Sequence, residues 1–147
     1  MQTELPKQVL GKTGLEITQL GFGTVELGDV NRDLSDGQAG EMFNAVLDAG
    51  INFIDTAPDY GVAEERIGKS ISQRRDEFYL ATKCGCNIAA DGSRQEPGHL
   101  WTAERLHRNI DQSLERMKTD HVDLLQMHNP AVEEVEQGGL VEALQEI

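Results

Sequence analysis

The chain has 147 residues, enough for one ordinary domain with a sizeable core. Hydrophobic residues make up 38% and charged residues 27%, a balance that fits a soluble globular protein and argues against disorder. The formal net charge of -13 repels phosphate backbones and anionic lipid, so no nucleic-acid or membrane partner is expected.

In chain order, Met1 to Lys7 is polar and carries Glu4 and Pro6. It lacks the apolar segment of a signal peptide, and no apolar run approaches the ~20 residues of a bilayer span, so a cytoplasmic location is the default expectation. Residues 8–18 predict a hairpin, with Gly11-Lys12-Thr13-Gly14 as turn residues and Leu15 and Ile17 alternating with polar neighbours. A short strand, Leu20 to Gly23, follows. Residues 36–49 predict a helix whose buried stripe is Ala39, Met42, Phe43, Val46 and Leu47, capped by Ser35 or Asp36 and ended by Gly50. Residues 51–54 predict a strand, and 61–71 a second helix with Glu64 and Glu65 in its first turn. Residues 78–82 predict a strand. Thr102 starts a third helix with Leu106, Ile110, Leu114 and Met117 inward. Residues 122–127 predict a fourth strand, and 139–147 begin one more helix. The strand–helix alternation argues for parallel strands covered by helices. The connection 85–101 reads as a long loop of the kind that often carries function. The acidic stretch Glu133, Glu134, Glu136 reads as a solvated face before the last helix.

The two cysteines, Cys84 and Cys86, are too close in sequence for a useful disulfide. Zinc needs two further ligands, and the spacing of His99 and His107 fits no usual pattern, so no metal is expected. The pair reads as small residues at a strand end.

The informative pattern is where titratable groups fall. Asp55 directly follows Asn-Phe-Ile, Lys83 follows Tyr-Leu-Ala-Thr, and His128 follows Leu-Leu-Gln-Met. In parallel β/α architectures the carboxyl ends of the strands share one face, and sites form there. Tyr60, five residues past Asp55, can swing over the same rim. Each residue alone has a bland reading: a cap, a solvated charge, a turn. As a set they suit proton donation. A free tyrosine holds its proton to about pH 10, and a nearby ammonium favours the phenolate. A carboxylate keeps that ammonium in place, and an imidazole can orient a carbonyl oxygen. No serine or cysteine sits with a partner base in a recognisable spacing. Gly21-Phe-Gly23 alone is a weak nucleotide signal.

With these residues in view, GINFIDTAPDYGVAEERIGKSI (50–71) resembles the Asp-Thr-Ala…Tyr-Gly…Glu-x-x-Ile-Gly signature of the aldo-keto reductase family. FYLATK ending at Lys83 is similar to the family's third strand and its lysine. SLERMKTDHVDLLQMHNP (113–130) is similar to the helix and strand leading to its histidine. VLGKTGLEITQLGFGT resembles its floor hairpin and first strand. The resemblance implies the N-terminal half of a (β/α)8 TIM barrel with a leading β-hairpin, about four parallel strands and three to four helices. It implies an incomplete NADP-dependent oxidoreductase domain over 1–147, reducing aldehydes or ketones to alcohols or the reverse with NADPH or NADH. Tyr60 would be the general acid, Lys83 its activator paired with Asp55, and His128 the group orienting a small-molecule carbonyl substrate. Gly23, Thr24, Val25 and Asp55 would lie near the cofactor. Glu26 departs from the aromatic or apolar residue that many relatives carry. Trp101 would line the substrate pocket, or simply pack.

A complete barrel needs ~250 residues. The resemblance therefore implies that most cofactor contacts lie on later strands, that this stretch alone is inactive, and that open strand edges favour weak folding or self-association. Two other functions stay open: a non-catalytic nicotinamide-binding regulatory or interaction subunit, and a metal-binding module around Cys84 and Cys86.

Overall fold

The computed structural model describes residues 4–137 and 139–147. Its centre is a four-stranded parallel sheet in the order β3-β4-β5-β8, built from β3 (Phe22–Gly23), β4 (Phe53–Asp55), β5 (Tyr79–Cys84) and β8 (Leu124–Met127). Spatial order follows chain order, with no reversal. That is the topology of a barrel arc rather than of a doubly wound sheet. Register is set by Phe22 opposite Ile54, Ile54 opposite Leu80, and Lys83 opposite Gln126.

Three helices cover one side: α2 (Asp36–Asp48), α3 (Ala63–Ser70) and α4 (Ala103–Met117). Neighbours pack in sequence, α2 on α3 and α3 on α4. Ser35 opens α2 with a reciprocal capping box to Gln38, and Thr102 caps α4 by accepting from the Arg105 amide. The core between helices and sheet holds Phe43, Leu47, Ile54, Ile67, Ile71, Phe78, Leu80 and Met117. A second cluster joins Cys84 and Leu106 to Leu140 and Ala143 of α6 (Leu140–Gln145). Among the described residues no helix is long and apolar enough to cross a membrane.

The floor hairpin is present as β1 (Lys7–Val9) and β2 (Glu16–Thr18), antiparallel. Asn52 ties it to the amino end of β4: its side chain accepts from the Thr18 amide at 2.6 Å and donates to the Glu16 carbonyl at 3.0 Å. At the same end, Arg75 donates to the Asp123 carboxylate at 2.6 Å and to the Phe78 carbonyl at 2.8 Å. That carboxylate also accepts from the Leu80 amide at 2.8 Å.

Several expectations shift. Met42 is exposed, because α2 meets its neighbours along the single line Ala39, Phe43, Leu47. The predicted long loop 85–101 folds into a second hairpin, β6 (Cys86–Ile88) paired with β7 (Arg94–His99). Asp91 and Gly92 turn it, with the Asp91 carboxylate accepting from the Ser93 amide. The acidic stretch forms its own short helix, α5 (Val132–Gln137), with Glu133 and Glu136 exposed. Glu64 stands in the first turn of α3, as the sequence predicts. It is buried and accepts from the Thr82 hydroxyl at 2.8 Å and Arg116 at 3.2 Å. Burial pushes its carboxyl above the ordinary value in spite of those partners.

Candidate active site

Hydrogen bonds run on past the carboxyl ends of three of the four strands. The Thr24 amide donates to Asp55, the Thr56 amide to Ala81 and the His128 amide to Cys84, at 2.9–3.0 Å. The residues just beyond β3, β4 and β8 are therefore held by the sheet itself. Asp55, Lys83 and His128 consequently lie on one face, where the sequence placed them.

The lysine is fixed from two sides. Lys83 Nζ donates to Asp55 Oδ2 at 2.7 Å and to the Thr56 carbonyl at 2.8 Å. The Lys83 side chain is largely buried and that of Asp55 partly so, which makes the pair less open to screening than a surface one. The second Asp55 oxygen accepts from Gln126 Nε2 at 3.0 Å, so the carboxylate cannot turn freely. The ammonium sits 4.8 Å from the centroid of the Tyr60 ring. Tyr60 in turn stands edge-on to the His128 ring, with centroids 5.8 Å apart. The structure thus brings together all four residues singled out from the sequence.

Tyr60 is carried by a loop, not a strand. Its amide donates to the Ala57 carbonyl at 3.1 Å, and the next peptide is pressed against α1 (Val25–Gly28). A cleft of about 420 Å³ opens beside it, lined by Val25, Glu26, Arg32, Asp59 and Tyr60 among others. Glu26 pairs with Arg32 on the rim of this cleft. Thr24 is fully buried and Val25 half-exposed.

Trp101 reaches the rim through an intermediary. Its ring lies flat on His99 (centroids 5.8 Å, planes 7° apart), and His99 meets His128 edge-on at 5.1 Å. Trp101 also covers Gly85, whose φ of +90° and close ring contact leave no room for a side chain.

Four residues near the rim were not singled out from the sequence as members of this site. Gln126 faces Asp55 from β8. The side chain of Asp59 is buried one residue before Tyr60. Cys86 and His99 are paired across the second hairpin. Asp59 Oδ1 lies 3.2 Å from His128 Nδ1, and Cys86 Sγ lies 3.2 Å from the same nitrogen. Burial opposes ionisation of Asp59, but the His128 imidazole and the Arg94 guanidinium outweigh it and hold the carboxyl below its ordinary value. Burial pushes the Cys84 thiol up to about 11, away from a reactive thiolate.

Comparison with known proteins gives this geometry a lineage. The model of the Aldo/keto reductase family matches residues 19–147. The chain belongs to that family. An L-galactose dehydrogenase of Arabidopsis thaliana is 36% identical over 132 residues, covering 86% of this chain and 39% of that protein. A D-threo-aldose 1-dehydrogenase of a Pseudomonas species is 35% identical over 136 residues, covering 80% of this chain and 41% of its own length. An aldo-keto reductase structure from Pseudomonas aeruginosa superposes with a TM-score of 0.85 at 30% identity, over 99% of this chain and 58% of that one. A holo aldo-keto reductase from Bacillus halodurans gives 0.80 at 29% identity, over 97% and 46%. The chain spans about two-fifths of the length of the curated relatives it matches. Its parallel strands, singly wound with helices outside, are those of a partial (β/α)8 barrel.

Proposed function

We propose that this chain carries the proton-donating half of an NAD(P)H-dependent carbonyl reductase site. The observation that carries the reading is the Asp55–Lys83–Tyr60 arrangement: a carboxylate at 2.7 Å from an ammonium that lies over a phenol ring. The relatives named as sugar dehydrogenases support the same chemistry run in either direction.

Tyr60 donates its hydroxyl proton to the carbonyl oxygen, and the Lys83 ammonium stabilises the charge left on the phenol oxygen. Asp55, held by Gln126, keeps Lys83 charged and in place. His128 has Nδ1 against Cys86 and Asp59, so Nε2 is the ring nitrogen that meets the carbonyl oxygen. Trp101 lines the substrate side through its stack on His99.

A nicotinamide cofactor fits one edge of this face. The buried hydroxyls of Thr24 and Thr56 have no hydrogen-bond partner, and a Cβ at Gly23 would meet open space. Gly23, Thr24, Val25 and Asp55 are the residues that would hold it. When bound, the cofactor supplies hydride to the carbonyl carbon.

The test is turnover of a generic aldehyde with NADPH by the full-length gene product. Tyr60→Phe is expected to lower kcat by about 10²–10⁴-fold while leaving the melting temperature within a few degrees of wild type. Undiminished turnover in that variant, or a wild-type protein that binds NADPH without reducing any carbonyl, would favour the non-catalytic binding role instead.

A further inference from the structure

Behind His128 lies a cluster that proton donation does not use. Asp59, Cys86, His99 and His128 each present one donor atom, and the four atoms lie within 4.8 Å of one another. They come from separate parts of the chain: the β4–α3 loop, the two strands of the second hairpin, and the end of β8. We infer that these four residues form a binding site for a single zinc ion.

The donor chemistry fits. Two imidazoles, a thiol and a carboxylate match the nitrogen, sulfur and oxygen ligands that tetrahedral zinc takes. So does the spacing. Bonds of about 2.0–2.3 Å in a tetrahedron place adjacent ligand atoms roughly 3.3–3.7 Å apart. Cys86 Sγ and Asp59 Oδ1 both lie 3.2 Å from His128 Nδ1, so two edges of the tetrahedron are already close to that separation.

Hydrogen bonding within the protein accounts for only part of the cluster, since Cys86 and Asp59 share the single nitrogen His128 Nδ1. Asp59 has a side chain only 4% exposed, yet its Oδ1 meets no donor other than the His128 Nδ1 that Cys86 Sγ also contacts. Its other oxygen, Oδ2, faces Arg94 at 3.7 Å. His99 Nε2 is likewise buried without a partner. Buried polar atoms of this kind call for an occupant. Cys86 is fully buried and His128 nearly so, while His99 is partly exposed and marks the way in.

Metal on Nδ1 would fix His128 with its proton on Nε2, turning that nitrogen into a permanent donor toward a carbonyl oxygen. This consequence rests on the role proposed for His128 above; the site itself does not.

The experiment is titration of the purified, reduced protein with Zn²⁺ against a chromophoric chelator, paired with Co²⁺ as a spectroscopic probe. The expected result is one equivalent of Zn²⁺ bound and a thiolate-to-cobalt charge-transfer band. Cys86→Ser abolishes the band and weakens Zn²⁺ binding at least about a hundredfold. Cys84→Ser, outside the cluster, leaves both unchanged. Should Cys86→Ser fail to fold, His99→Ala at the partly exposed corner is expected to show the same order of weakening. The inference is overturned by no stoichiometric binding, by equal affinity in wild type and the ligand variants, or by a cobalt spectrum without thiolate character. None of these readouts depends on turnover, so failure here and failure of the reductase reading are distinguishable.

Discussion

Gly28, the buried last residue of α1, lies against the peptide that carries Tyr60. An ideal Cβ built on Gly28 overlaps the Tyr60 carbonyl oxygen outright and stands 2.5 Å from its carbon. The reverse contact is as tight, since a Cβ on Gly61 would run into the Gly28 carbonyl. That carbonyl also accepts from the Val62 amide at 3.1 Å, so the two segments are locked together. Gly28→Ala must therefore drive the Tyr60 peptide back by roughly 2 Å to restore ordinary contact, and a displacement of even about 1 Å at a reacting group costs about 10²-fold in rate. Overpacking of this kind also destabilises by about 1–3 kcal/mol. The assay is kcat/KM for an aldehyde with NADPH on the full-length gene product, alongside urea denaturation. Gly37→Ala serves as the control, because a Cβ there meets only Ser35 Oγ at 3.8 Å in an otherwise open position. Gly28→Ala with wild-type turnover and stability would refute the claim that this glycine contact seats the acid.

Two further outcomes follow from charges outside the site. Asp123 neutralises the largely buried Arg75 and also accepts from the Leu80 amide; Asp123→Ala leaves that guanidinium unpaired and is expected to cost about 3–5 kcal/mol in urea denaturation. Asp36 is held below its ordinary carboxyl value by hydrogen bonds from Lys69 and Arg66. A depressed carboxylate stabilises above its unfolded-state pKa and loses that contribution as pH falls through the folded-state value. The stability gap between wild type and Asp36→Asn is therefore expected to be full near neutrality and to narrow below about pH 4.

The sheet and its site-bearing ends were legible in the sequence because three of the four predicted strands are apolar runs that stop at one titratable residue. Asp55, Lys83 and His128 could be placed on one face from that alone, and the position of Tyr60 in the loop five residues past Asp55 added the fourth. The second hairpin was not read. Its strands, Cys-Asn-Ile and Arg-Gln-Glu-Pro-Gly-His, lack both alternation and β-branched residues apart from Ile88. The one usable signal was Asp91-Gly92, a dipeptide suited to a hairpin turn. Missing that turn hid the register that sets Cys86 opposite His99. The burial of Glu64 was not legible either. A glutamate in a first helical turn is normally solvated, and only the approach of α4, bringing Arg116, shows that this one is covered. Met42 fell outside the core because a helix touching its neighbours along one line buries fewer positions than the width of an apolar stripe suggests.

The site rests on two supports of unequal kind. Asp55 and Lys83 belong to strands, and His128 is tied to β5 through its own amide, so their positions follow the sheet. Tyr60 hangs from a loop whose seat is a backbone contact between two glycines, Gly28 and Gly61. The proposed proton donor is thus the member whose position depends on residues with no chemistry of their own. The same loop carries Asp59, which joins Tyr60's neighbourhood to the cluster behind His128. A cation drawing Asp59 toward Cys86 and His99 would brace this loop from the far side. Both supports would then act on one short segment, 56–63. That segment is where substitutions outside the four central residues should alter turnover most.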